Sequence, residues 1–159
     1  MAYQQVKDIV GILKAKHRQI RDALESPRSR TKSAKVALLL EGLRKDEQEL
    51  QLMLGDAQKN GERQVLETWL QYVPDEELQA TVKKIQFTEH MTIEQVIEEK
   101  MKFDLAMLEF LDHNIRETSI PKVEEFFTSL REYVRSRAAK HAWATREDHS
   151  DSELPQVEL

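Results

Sequence analysis

Six side chains capable of chemistry fall where the helices of this chain should be apolar: His17, Glu47, Lys100, Asp104, Arg137 and His141. Glu47 and Asp104 offer carboxylates, which exchange protons and ligate hard cations. His17 and His141 offer imidazoles, which ligate metals and titrate near neutral pH. Lys100 and Arg137 offer positive charge. An unpaired charge is very costly in an apolar interior, so these groups must meet one another, water or a metal ion. Met together, two carboxylates, an ammonium and a guanidinium sum to zero, with the two histidines as adjustable donors. The two cations would repel a divalent ion. In a third arrangement Lys100, Arg137 and His141 reach solvent, the two long stems carrying their charged heads out, and His17 is an ordinary hydrogen-bonded core histidine. The expectation is a buried polar network of all six residues. The alternative is a metal site built from Glu47, Asp104, His17 and His141.

The elements that would position them follow from periodicity. Turned at about 100° per residue, Val36, Leu39, Leu40, Leu43, Leu50 and Leu54 share one face, and Glu47 lands near its middle. That helix is expected over residues 31–59, ending at Asn60-Gly61. Before it, Val6, Ile9, Val10, Leu13, Ile20 and Leu24 mark a helix over residues 3–24, with His17 near the centre of its stripe. Pro27 disfavours helix just before it and places the link at residues 26–30. So short a link makes the pair an antiparallel hairpin. With the link there, His17 and Glu47 are expected to sit about 10 Å apart along the axis, at 1.5 Å per residue.

Residues 62–86 read as a long crossover. Val65, Leu66, Trp69, Leu70, Tyr72 and Val73 suggest a short helix ended by Pro74, with Trp69 and Tyr72 as packing anchors. Asp75 can cap a second short helix carrying Leu78, Val82 and Ile85. Thr92-Ile93-Glu94-Gln95 is a capping box opening a third long helix. Its stripe is expected to hold Ile93, Val96, Ile97, Met101, Leu105, Met107, Leu108, Leu111 and Ile115, with Lys100 and Asp104 inside it. Ser119 is expected to cap a fourth, with Pro121 in its first turn. Val123, Phe126, Phe127, Leu130, Tyr133, Val134 and Ala138 line its face beside Arg137 and His141.

Two short-linked hairpins joined by a long crossover, with carboxylates and imidazoles projecting inward, resemble the ferritin-like superfamily, its rubrerythrin-like members most. The resemblance covers the four long helices and implies an all-α, four-helix up-and-down bundle. It implies a di-iron or di-manganese centre held by six ligands and used for oxygen- or peroxide-dependent iron chemistry. Glu47 matches the Glu of the second helix and Asp104 that of the third. Leu50 stands where the second helix should carry His. Val134 and Arg137 stand where the fourth should carry Glu and His, and the first helix offers His17 and no inward Glu. The reading that follows is a degenerate site: a non-enzymatic, ferritin-like bundle with a metal-free polar core and a structural or protein-interaction role. The alternative is a divergent iron- or manganese-binding relative.

Composition narrows the rest. The 159 residues suit one domain, expected over residues 1–147 with a polar tail at 148–159. A net charge of -5 argues against general nucleic-acid binding. The chain has no cysteine, so disulfides and thiolate chemistry are excluded, and a cytoplasmic setting is expected. No apolar run approaches the ~20 residues that span a bilayer. Phosphate-loop, Gly-x-Ser-x-Gly and His-Glu-x-x-His motifs are absent. His90 and His113 are expected in a loop and on an outer face. Arg28, Arg30, Lys32 and Lys35 form a basic spot at the first link, read as a solvated turn. Leu38, Leu52 and Met53 should point outward, as should Ile12 and Trp143, and a cluster of such residues would serve a dimer or a protein partner.

Overall fold

The first long helix begins at Val6, after three residues that leave it to form a strand. A computed structural model of the chain describes residues 2–149, with side chains through residue 140. Within them lie β1 (Tyr3–Gln5), α1 (Val6–Arg30), α2 (Ala34–Asn60), α3 (Arg63–Leu66), β2 (Trp69–Gln71), α4 (Glu76–Lys84), α5 (Ile93–Glu117) and α6 (Pro121–His149). The protein is all-α apart from one two-stranded ribbon. Residues 150–159, most of the expected polar tail, lie outside the described residues.

Residues 3–5 were expected to be helical. They pair antiparallel with β2 instead, Tyr3 opposite Gln71 and Gln5 opposite Trp69. The Asp8 carboxylate accepts from Gln5 N at 3.0 Å, which satisfies a donor at the helix start and fixes the change of conformation there. At the other end α1 runs through the expected link to Arg30. Pro27 is tolerated in its last turn: the ring is buried, and the Pro27 carbonyl still accepts from Thr31 N at 2.9 Å. Lacking an N–H, it forfeits one helical bond close to the end of the ladder, where the loss is least disruptive.

Ser33 caps α2, its hydroxyl accepting from Val36 N at 3.2 Å. Helices α1 and α2 are antiparallel, because cross-links run in opposite order along the two helices: Lys14 with Gln58, Arg21 with Gln51, Arg28 with Glu41. The buried residues of α2 are Val36, Leu40, Leu43, Glu47, Leu50 and Leu54, an alternation of four and three that keeps one seam facing α1. The stop at Gly61 is a matter of space. Its φ is -69°, and a Cβ there would lie 2.4 Å from the Ala57 carbonyl oxygen.

The crossover differs most from expectation. Helix α3 ends at Leu66, and Trp69–Gln71 is extended, so side chains alternate across the ribbon. Leu70 is buried, while Trp69, expected as an anchor, is 63% exposed. Tyr72 is half-buried, and Val73 is the buried residue beside it. Asp75 precedes α4 but makes no cap bond; its carboxylate accepts from Gln79 Nε2 and the Tyr72 hydroxyl.

Thr92 and Gln95 form the capping box of α5. The buried face of α5 is rotated from the expected stripe: Met101 and Leu105 are exposed, and Phe103 and Phe110 are buried in their place. Lys100 lies on the rotated face, three residues before Phe103, so the seam runs Val96, Lys100, Phe103, Met107, Phe110, Asn114. Pro121 opens α6 as expected, but the preceding cap position is Ile120, whose carbonyl accepts from Val123 N and Glu124 N. Helix α6 ends at His149, within the stretch expected as a polar tail, residues 148–159. Leu38 and Leu52 are exposed as expected, whereas Met53 and Ile12 pack partly against the core. Trp143 lies outside the described side chains. Among the described residues no helix is long and apolar enough to cross a membrane.

Candidate functional site: a buried charge network

His17 on α1 and Glu47 on α2 meet directly, Nδ1 donating to Oε2 at 2.5 Å. The expected offset of about 10 Å does not exist, because α1 continues to Arg30 and the link falls at residues 31–33. Lys32 is then the midpoint, and His17 and Glu47 stand equally far from it along the two helices. The seams supply the rest. His17 follows Leu13 by four and precedes Ile20 by three, and Glu47 bears the same relation to Leu43 and Leu50.

Helix α5 adds the other two members. Lys100 Nζ donates to Glu47 Oε1 at 2.8 Å and to Asp104 Oδ1 at 2.5 Å. Lys100 and Asp104 are four apart on one helix, the spacing that lets side chains touch. Phe103, which the sequence reading left out, closes the group. Its ring is edge-to-face with His17, centroids 5.2 Å apart, and Lys100 Nζ lies 5.5 Å from its centroid. The signal that could have found it was its spacing: three after Lys100 and four before Met107.

The four polar residues are sealed from solvent, with exposures of 1% for His17, 3% for Glu47, 7% for Lys100 and 6% for Asp104. Burial by itself would raise the Glu47 carboxyl, but Lys100 and then His17 outweigh it and hold its pKa at about 2. Burial would likewise lower Lys100, yet Glu47 and Asp104 keep its ammonium above the usual lysine range. For Asp104 burial prevails over Lys100, helped by the nearby negative charge of Glu47, and its carboxyl is raised above the ordinary aspartate range. The cluster is thus built on a firm Glu47–Lys100 ion pair. It is electrically neutral both when Asp104 and His17 are charged together and when both are neutral.

Arg137 does not join the cluster. It is half-buried on α6 and turns to the outer side of α2, donating to Asp46 Oδ1 at 3.2 Å and Glu49 Oε2 at 3.0 Å. Its guanidinium also donates to the Tyr133 hydroxyl at 3.0 Å and lies over that ring. The side chain of His141 lies outside the described residues. His90 is exposed in a loop, and His113 lies beside Glu117. Asn114, another residue the sequence reading missed, is buried in the α5 seam. Its Nδ2 donates to the Phe110 carbonyl at 2.9 Å, and its Oδ1 has no partner among the described residues.

A di-iron or di-manganese centre of the ferritin-like kind does not fit this arrangement. The Lys100 ammonium occupies the space between the Glu47 and Asp104 carboxylates that a metal would need. Among the described residues no three His, Asp or Glu side chains converge as ligands. No protein-family model matches the chain, and no curated protein or solved structure matches it.

Proposed function

We propose that this chain is a non-enzymatic helical bundle with a structural or protein-interaction role. In this reading α1, α2, α5 and α6 form a four-helix up-and-down bundle of ferritin-like type, whose core is held by charge compensation in place of a metal. The observation that carries it is Lys100, whose ammonium sits 2.8 Å from Glu47 and 2.5 Å from Asp104. A buried network of this kind joins three helices at one level and fixes their register. The outward surface supports the interaction role: Leu38 and Leu52 on α2 are 75% and 67% exposed. They suit a homodimer contact in the cytoplasm.

The test is elemental analysis of the purified protein, titration with Fe(II), Mn(II) and Zn(II), and light scattering across a concentration series. The expected result is no stoichiometric metal and a dimer mass. Stoichiometric binding that disappears in Glu47→Ala and Asp104→Ala would overturn the metal-free core. A monomer mass at high concentration would remove the dimer.

A further inference from the structure

Two copies that meet across a two-fold axis need a face that is its own complement, because the same patch serves both sides of the contact. On α2 the apolar pair meets this condition and the charge does not. Lys45 is exposed midway between Leu38 and Leu52, seven residues from each, so a two-fold through that stripe sets Lys45 against Lys45. The outer face of α5 is built differently. Met101 and Leu105, 47% and 55% exposed, lie on the ridge away from the buried seam. Helix α4 packs antiparallel beside that ridge: Glu77 and Leu78 line one cleft with Phe110 and His113, and Lys84 and Ile85 line the next with Lys102 and Leu105.

Charge is sorted along this face. Lys102 stands three residues before Leu105 and Glu109 four after it, and all three are exposed. Helix α4 repeats the order, with Lys84 at the Lys102 end and Glu77 at the Glu109 end. The side chains of Lys84, Glu77 and Glu109 make no hydrogen bond or ion pair among the described residues. Lys102 donates to Glu99 at 2.7 Å, but its side chain is 59% exposed and free to swing outward. Laid antiparallel across a two-fold near Leu105, two such faces bring the basic end of each onto the acidic end of the other. Lys102 of one copy and Glu109 of the other then lie about 5 and 6 Å from the axis on the same side, at 1.5 Å per residue, and come level. Glu98 comes level with Asp112 of the other copy, whose charge is already met by Arg131 at 2.8 Å. The groove between α4 and α5 measures about 400 Å³ and has Thr81, Ile85 and Ala106 in its lining. The small Ala106 side chain leaves room there for Leu105 of a second copy.

We propose that two copies of this chain meet through the α4–α5 face, with Lys84 and Lys102 of each against Glu77 and Glu109 of the other and Leu105 seated beside Ala106. This contact gives the proposed self-association its face and depends on it.

The test is an exchange of charge between two full-length variants, followed by sedimentation or light scattering across a concentration series. In its own dimer Lys102→Glu makes both cross-pairs acidic, and Glu109→Lys makes both basic. Each variant alone should dimerise roughly tenfold or more weakly than the parent, through like-charge repulsion at two symmetric places. The circular dichroism of both should match the parent. Mixed in equal amounts they should recover the parent's dimer, because each supplies the charge that the other lacks. Leu105→Asp should dissociate the dimer with no rescue by either variant. Single variants as dimeric as the parent, or a mixture no tighter than its components, overturn the proposal. So does a dimer lost in Leu38→Asp/Leu52→Asp and kept in Leu105→Asp, which assigns the contact to α2 and leaves self-association standing. A parent that stays monomeric at high concentration removes self-association itself, and this contact with it.

Discussion

Replacing Lys100 by Met keeps most of the stem and removes only the charge that two buried carboxylates share. The cost can be worked from Glu47, whose carboxyl is held at about 2 against an ordinary 4.5. That difference is worth about 3 kcal/mol at 1.36 kcal/mol per unit, and Lys100 is the largest favourable contributor to it. Asp104 loses its partner as well. The expected loss at pH 7 is roughly 3–5 kcal/mol, the range for breaking a buried pair from one side. Against a domain stability of about 5–15 kcal/mol the variant should remain folded but shift visibly in urea, followed by circular dichroism with the m-value checked for constancy. Adding Glu47→Gln to Lys100→Met should recover a large part of the loss, because the stranded charge goes with it. A loss under about 1 kcal/mol, the value of an exposed pair, would refute the reasoning, as would a double variant no more stable than Lys100→Met alone.

Acid should separate the two carboxylates. Glu47 is depressed, so its contribution is present above pH 4.5 and lost as pH falls towards about 2; Glu47→Gln should flatten that part of a urea-derived stability–pH curve, and an unchanged slope would contradict the assignment. Asp104 is raised, so its contribution is present below the ordinary aspartate range and lost as pH rises through its folded value; Asp104→Asn should therefore steepen the acid loss seen in the parent. On the ribbon, Leu70→Ala should cost about 2–5 kcal/mol and Trp69→Ala under about 0.5 kcal/mol, measured by thermal or urea unfolding; equal losses would mean that Trp69 is covered.

The sequence by itself determined the helices and most of their inner faces. Spacings of three and four picked out Val6 to Leu24 and Val36 to Leu54, and the Thr92 capping box and Pro121 located two helix starts, because these signals are local to a few turns. The same spacings singled out His17, Glu47, Lys100 and Asp104 as inward and polar. Only the tertiary structure decided that these four meet. Whether His17 reaches Glu47 depends on where the link falls. Pro27 pointed to residues 26–30, yet its buried ring lets α1 run to Arg30, and that shift of a few residues removes the offset. Arg137 shares the inward face of its own helix with Val134, but acidic Asp46 and Glu49 on α2 draw its long side chain outward. Trp69 reads as an anchor on a helix and becomes exposed on a strand, because pairing with residues 3–5, more than sixty positions away, replaces a period of 3.6 with a period of two. Local periodicity fixes which way a side chain faces on its own element. The partner it meets is fixed by register between elements, which depends on links and pairings far apart in the chain.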